Sequence, residues 1–375
     1  MSSQPLPFVD LKAQYARLRP SIDARMRKVL EHGQYILGPE VAELETALAS
    51  FSGARHAIAV ASGTEALHMP LMAEGIGPGD AVFLPGFTFP ATAEVVLAVG
   101  ATPVFVDVAE DSYNIDPAAL DSAVETVRRR GELRPRAVIP VDLFGLPADY
   151  AAIDSIVRRH GLFVLADAAQ SYGAALGNRR VGTLAPMTAV SFFPAKPLGC
   201  YGDGGAILTD SADDAKILRS IRMHGEGDDR YDIVRLGTNG RLDTLQAAVL
   251  LAKLEVFQDE LDARERWASE YDRRLKGRLV LPPRRKDATS AWAQYCVRVP
   301  RRDAVREKLT QQGIPTAVYY PKPLHVQPAF ARFAHGLSLP VSEKICGQIM
   351  ALPMHPYLDE ATVECIAQAL LQACG

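Results

Sequence analysis

From about residue 55 onward, short apolar runs alternate with stretches whose apolar residues recur every three or four positions. The runs are Ala57–Val60, Ala81–Leu84, Val104–Val106, Ala137–Val141, Leu162–Ala166, Ala189–Phe193 and Ala206–Leu208. A helical pattern separates several of them, as over 148–160, where Tyr150, Ile153, Ile156 and Val157 share a face. This alternation predicts an α/β fold with a mostly parallel sheet covered by helices. Runs as apolar as AVIPV and LFVLA suit strands buried on both faces. Ahead of them, 14–32 predicts an amphipathic helix with Ile22, Met26, Val29 and Leu30 on one side and Gly33 as its stop.

Arg241 to about Leu275 reads as one long helix with an apolar stripe of Leu245, Ala248, Leu251, Leu254 and Leu261. A helix of that length with no internal stop often bridges two domains or packs on a partner. Pro282-Pro283 and the basic Arg284-Arg285-Lys286 then break the pattern. The remainder alternates again: a strand-like QYCVRV, a helix near 303–312, a strand near 316–320 and two final helices. The expected division is a large domain over 1–250 and a smaller C-terminal α+β domain over 251–375, entered by the helix at about 241–275.

Composition narrows the partners. The 375 residues are 48% hydrophobic and 23% charged, ordinary for a soluble globular chain. Lys+Arg number 41 against 44 Asp+Glu, so the basic surplus of a nucleic-acid binder is missing. The arginine runs at 128–130, 284–285 and 301–302 have no interleaved aromatics and read as solvated surface. No apolar run is long enough for a transmembrane helix, and the N-terminal stretch lacks a basic-then-apolar signal pattern. Five cysteines, with no C-x-x-C pair, suit a reducing cytoplasm rather than a zinc site or a disulfide framework. The expectations are a cytoplasmic protein with no metal, no nucleic acid and no membrane partner.

Four segments carry chemistry. ASGTEALH at 61–68 follows a strand pattern and opens a helical one, and Ser62-x-x-Glu65 has capping-box spacing. A helix N-terminus with Gly63 and Thr64 is a ready phosphate site, although such turns are also plain caps. Phe89, in PGFTFPATAE, sits after a strand at the edge where α/β sheets bind ligands; its ring could stack on a flat cofactor or simply pack. Asp167, in LFVLADAAQS, ends another strand, with Gln170 close behind; the carboxylate could serve a metal, a ribose hydroxyl or a protonated ring nitrogen, or cap the next helix. Lys196, in SFFPAKPLGCYGDGG, is hemmed by Pro194 and Pro197 and followed by glycines. A lysine desolvated at a strand end is set up for Schiff-base chemistry; a solvated surface lysine is the plain alternative. Pyridoxal 5′-phosphate needs a phosphate cradle, a stacking ring, an acid facing the pyridine nitrogen and a lysine for its aldehyde. The chain supplies these types in that order, and Asp167 would keep the ring nitrogen protonated.

The stretches FVDLKAQY, GQYILGPEVAELE, ASGTEAL, PGFTFPATAE, DAAQSYGA, SFFPAKPLGCYGDGGA, GTNGRLDTLQAAVLLAKL, YYPKPLHVQPAF and LPMHPYL are together highly specific. Over nearly its whole length the chain resembles the DegT/StrS-type sugar aminotransferases, fold-type I enzymes dependent on pyridoxal phosphate. The resemblance implies that Lys196 joins the cofactor aldehyde and then shuttles a proton, and that Asp167 pairs with the pyridine nitrogen. It further implies that Gln170 bonds the phenolic oxygen, that Phe89 stacks, and that Gly63, Thr64 and Glu65 (through backbone N–H groups) and Ser191 hold the phosphate. Asn239 matches an asparagine that completes the cradle from a neighbouring subunit, hence a homodimer with a shared active site. Arg241 suits a substrate carboxylate, or a structural contact at a helix start. Tyr320 and His325 are further substrate-site candidates. The subgroup suggested acts on UDP-2-acetamido-2-deoxy-3-oxo-glucuronate, with L-glutamate as donor and 2-oxoglutarate as product, for lipopolysaccharide or O-antigen biosynthesis. Tyr319 and His325 depart from the His and Asn expected there. Lys196 favours amino transfer over the dehydratases that carry His at that position. The rivals are a C4-aminotransferase of a 4-keto-6-deoxy sugar nucleotide and a non-catalytic regulatory protein that keeps the fold.

Overall fold

A computed structural model describes residues 6–375; the first five residues, part of the stretch read for a signal pattern, lie outside it. The opening helix α1 (Leu11–His32) starts three residues before its predicted bound, because the Asp10 carboxylate accepts the Ala13 N–H and caps it. It stops where predicted, at Gly33, whose φ of 72° few other residues adopt. Ile22 and Val29 are buried, but Leu30 is 58% exposed. One residue is 100° of helix, so Leu30 turns away from the face that Val29 buries. Helix α2 (Pro39–Ser52) follows.

The expected α/β alternation then runs β1 (His56–Val60), α3 (Gly63–Ala73), β2 (Asp80–Pro85), α4 (Ala91–Ala98), β3 (Thr102–Val106), α5 (Pro117–Arg130), β4 (Arg134–Val138), α6 (Tyr150–His160) and β5 (Phe163–Asp167). After the short β6 (Ala175–Leu176) and β7 (Arg179–Arg180) come β8 (Met187–Ser191), β9 (Gly205–Thr209) and α7 (Ala212–Arg222). The main sheet has seven strands in the order β1-β9-β8-β5-β4-β2-β3. β3, β2, β4, β5 and β8 are parallel, and β9 runs antiparallel between β8 and β1. One apolar cluster covers each face, with Phe83, Val138 and Val164 on one side and Val82, Ala137 and Leu165 on the other. That two-sided burial is why the strands are apolar throughout. β4 sits earlier than the run at 137–141 predicts. Pro140 has no N–H to donate, so the chain leaves the ladder there and only Val141 bridges to Asp167.

The long helix expected from Arg241 is two helices, α8 (Thr244–Leu254) and α9 (Phe257–Leu275). Arg241 and Asp243 are extended, bridged to Val60 and Ile36, and the chain breaks again at Glu255–Val256. α8 packs on α1 and α2, whereas α9 packs on the last helix, so the break lies where the chain passes from one set of neighbours to the other. β10 (Ala288–Thr289), β11 (Tyr295–Arg298), α10 (Arg302–Gln311), α11 (Pro340–Gln348), β12 (Ile349–Leu352) and α12 (Glu360–Cys374) complete the chain. Tyr271, Tyr295, Val297, Leu309, Leu352, Ile366 and Leu370 form a separate core among them. The strand predicted near 316–320 is a loop; only Ala317 bridges, to Ala351. Among the described residues no helix is long and apolar enough to cross a membrane, and all five cysteines are free.

Candidate active site

β1, β2, β5 and β8 all deliver their C-terminal ends to one edge of the sheet. Beyond β1, Ser62 is extended and its hydroxyl accepts the Glu65 N–H at 3.1 Å, which starts α3. Gly63 presses against the end of β8: a Cβ there would lie 2.6 Å from the Ser191 Cβ. The first-turn N–H groups of Gly63 and Thr64 remain for a ligand, and the helix dipole favours an anion. The Glu65 N–H is already committed to Ser62, so the predicted three-donor cradle is reduced to two here. The Glu65 carboxylate turns toward His68, 3.8 Å from its Nδ1. Ser191 Oγ accepts the Phe193 N–H at 3.3 Å, which leaves its own proton to donate.

A cavity of about 420 Å³ opens at this edge. Ser62, Gly63, Thr64, Asp167, Ser191 and Lys196 line it from the side of the sheet. Asp167 is buried; its Oδ2 accepts from Thr92 Oγ1 at 2.8 Å and its Oδ1 from the Ala169 N–H at 3.2 Å. Burial raises its pKa, with the Thr92 and Ala169 hydrogen bonds and the Lys196 charge opposing. Lys196 lies on a turn closed by its N–H donating to Phe193 O at 2.8 Å. Burial lowers the pKa of its amine, and the Asp167 charge opposes the shift. Among the described residues nothing hydrogen-bonds its Nζ. Behind Asp167, the Asp142 N–H donates to Asp167 O at 3.0 Å. The Asp142 carboxylate accepts from Tyr150, Ser171 and the Ala148 N–H, and burial pushes its pKa up to about 7.

The outer part is aromatic and amide. Phe89 is 56% exposed, with its ring 6.2 Å from that of Tyr320. Gln170 accepts the Phe144 N–H at 2.6 Å and donates to the Tyr320 hydroxyl at 3.2 Å, so its amide is turned toward Tyr320. Tyr319 and Gln294 close the rim from the C-terminal third. Thus Gly63, Thr64, Phe89, Asp167, Gln170, Ser191, Lys196 and Tyr320 are brought together as the sequence suggested. Four other candidates do not line the cavity: Glu65, turned toward His68, and three more. His325 is buried away from the cavity, with Nε2 3.0 Å from Glu343 Oε1. Asn239 is exposed and bridges Met223, while Arg241 bridges Val60; neither lines this chain's cavity. Sequence reading missed Thr92 and Gln294, and noted Tyr319, which lines the cavity, only as a departure from the expected His. Thr92 had a signal, since it lies four residues after Thr88 in the first turn of α4 and the two hydroxyls are 3.2 Å apart. Gln294 had none.

This donor set fits pyridoxal phosphate: N–H groups and a hydroxyl for a phosphate, a buried carboxylate for a ring nitrogen, and a free amine for an aldehyde. A gathering of such groups at a strand edge is also where α/β sheets place ligands.

The model of the DegT/DnrJ/EryC1/StrS aminotransferase family matches residues 17–371. The UDP-2-acetamido-2-deoxy-3-oxo-D-glucuronate aminotransferase of Pseudomonas aeruginosa is 49% identical over 97% of this chain and 99% of its own. A crystal structure of a DegT/DnrJ/EryC1/StrS aminotransferase from Brucella abortus superposes with a TM-score of 0.97 at 50% identity, covering 99% of this chain and 100% of that one. The structure of S. venezuelae DesV in complex with a ketimine intermediate superposes with a TM-score of 0.93 at 39% identity, covering 99% and 98%.

Proposed function

The chain belongs to the DegT/DnrJ/EryC1/StrS aminotransferase family, and from that premise we propose that it transfers an amino group from L-glutamate to UDP-2-acetamido-2-deoxy-3-oxo-D-glucuronate. The product is the 3-amino sugar nucleotide, a precursor for surface polysaccharide. The observation that carries the reading is the pairing of Lys196, with no hydrogen-bond partner in the described chain, and buried Asp167 in one cavity at the N-terminus of α3. The 49% relative supports the choice of sugar.

Bound pyridoxal phosphate supplies an aldehyde that takes an amine covalently and a ring that takes up electrons. The residues act around it. Gly63 and Thr64 N–H groups and the Ser191 hydroxyl hold the phosphate. Asp167, fixed by Thr92, faces the ring nitrogen and keeps its proton in place. Phe89 lies against the ring, and Gln170 donates to its phenolic oxygen once turned from Tyr320. Lys196 would hold the cofactor through its aldehyde and would carry the proton at the carbon that gains or loses the amine; burial lowers its pKa, which favours the neutral amine that both roles need.

Asn239 and Arg241 serve the cavity of a second copy in a homodimer, Asn239 toward the phosphate and Arg241 toward the sugar carboxylate. Neither residue lines this chain's own cavity, although Gly240 between them bonds Ala61 beside it, and the exposed Tyr231, Ile233, Val234 and Leu236 precede them; both observations support that assignment. An assay on the 3-oxo-glucuronate beside a 4-keto-6-deoxy sugar nucleotide tests the reading. Strong loss of turnover without the carboxylate is expected; equal or better use of the 4-keto sugar would overturn the choice of substrate.

A further inference from the structure

A second lysine is buried close to the turn that carries Lys196. Lys253, on α8, is 1% exposed and does not line the cavity. Its Nζ donates to the Gly199 carbonyl at 2.5 Å and stands 4.4 Å from the centre of the Tyr201 ring. Burial lowers its pKa to about 8, with the charge of Glu260 on α9 opposing. A cation in that position needs acceptors, and the carbonyl and the ring face supply them.

The turn it touches is tightly wound. Lys196 N–H donates to Phe193 O and Cys200 N–H to Phe192 O, both at 2.8 Å. A Cβ on Gly199 would come 2.5 Å from Pro194 O and 2.7 Å from Phe193 O, so only glycine lets the chain close there. α8 grips the same turn a second time: Gln246, seven residues earlier on the same side of the helix, accepts the Tyr201 N–H at 2.8 Å. α8 is itself anchored, since Thr244 Oγ1 accepts the Gly38 N–H at 3.0 Å. The lysine turn therefore has one end on the sheet, at Phe192, and the other on α8.

We propose that Lys253 is a positioning residue for Lys196: by fixing the Gly199 carbonyl it sets where the reactive amine stands across the cavity from Asp167. Displacement of a reacting group by about 1 Å can cost roughly 100-fold in rate. The inference rests on the pyridoxal phosphate reading above.

The test uses full-length protein and two ligands. Pyridoxal phosphate has an aldehyde for Lys196 to capture; pyridoxamine phosphate has none and reports the cradle alone. For Lys253→Met, capture followed by the visible absorption band is expected to slow roughly 10- to 100-fold, with pyridoxamine phosphate affinity within about two-fold of wild type. Lys253→Arg, which keeps a cation for the carbonyl, is expected to recover part of the rate. Capture at the wild-type rate in Lys253→Met overturns the inference, and so does equal loss of capture and of pyridoxamine phosphate binding, which marks general damage. If Lys253→Met does not fold, Gln246→Leu decides on the same two readouts, slower capture alone supporting the inference and an unchanged rate overturning it. A wild-type protein that captures no pyridoxal phosphate overturns the functional reading itself, and is told apart by that control.

Discussion

Asp167, the last residue of β5, and Lys196, on the turn after β8, stand at the floor of the cavity, whereas Tyr319, Tyr320 and Gln294 close its rim from the C-terminal third of the chain. Backbone holds the floor. Asp167 is locked by N–H···O bonds to Pro140 and from Asp142, and Gly63 is packed so closely on Ser191 that no side chain fits. At the rim, backbone bonds from the Ala291 N–H to Gly145 O and from the Ala293 N–H to Phe144 O fix the loop beside Gln294, and Tyr320 is held by a side-chain contact, its hydroxyl accepting from Gln170. A floor built this way keeps one chemistry in place. A rim formed by loops and by exchangeable side chains can change its substrate without disturbing that chemistry.

The contrast can be broken most sharply at Lys196. Lys196→Ala is expected to lower turnover by at least about 1,000-fold and to remove the visible band, because both the covalent link and the proton carrier go. Activity within ten-fold of wild type would move the chemistry elsewhere. Next in size is Asp167→Asn. It keeps the shape and a contact with Thr92 but removes the charge, for an expected loss of about 100-fold in kcat. Thermal melting should not fall, since a buried carboxylate resists ionisation there. A drop in stability with kcat intact would make Asp167 structural.

At the rim the effects should be smaller and of another kind. Tyr320→Phe removes a hydroxyl that lines the cavity and is free to meet the sugar nucleotide once Gln170 has turned to the cofactor, and a hydrogen bond of that sort is worth about 1 kcal/mol. Steady-state kinetics should show KM for the sugar nucleotide rising by about five-fold, with kcat little changed. A larger fall in kcat than in affinity would erase the distinction between floor and rim. Smallest is His325→Gln. His325 meets Glu343 rather than the cavity, so KM should stay unchanged while melting falls by about 1–2 °C. A KM effect with no change in melting would return His325 to the substrate site.

The floor was legible because each of its parts lies in a short contiguous motif at a strand end. ASGTEAL, DAAQS and SFFPAK each combine an apolar run, a turn and a reactive side chain, and strand ends are where α/β sheets bring ligands. The rim was legible only in part. Phe89, Gln170 and Tyr320 lie in the motifs PGFTFPATAE, DAAQSYGA and YYPKPLHVQPAF, and Tyr319 stood out as a departure, whereas Gln294 reaches the cavity through a loop whose course is set by tertiary packing, and no local pattern marks it. His325 misled because a histidine near a tyrosine pair in sequence faces an acidic neighbour eighteen residues on instead. The single long helix failed for a similar reason. Its apolar stripe continues through Leu254 and Leu261, yet α8 and α9 pack on different partners and the chain turns between them. Periodicity marks which residues are buried, not what buries them.

Lys196, half-buried, and Lys253, fully buried, both have pKa values lowered by burial, but only Lys196 faces the cavity. Borohydride fixation of the protein loaded with pyridoxal phosphate, followed by peptide mass spectrometry, distinguishes them directly. The expected result is a single reduced phosphopyridoxyl group on Lys196. A label on Lys253, a label scattered over surface lysines, or none would contradict the assignment of this cavity as the site of amino transfer.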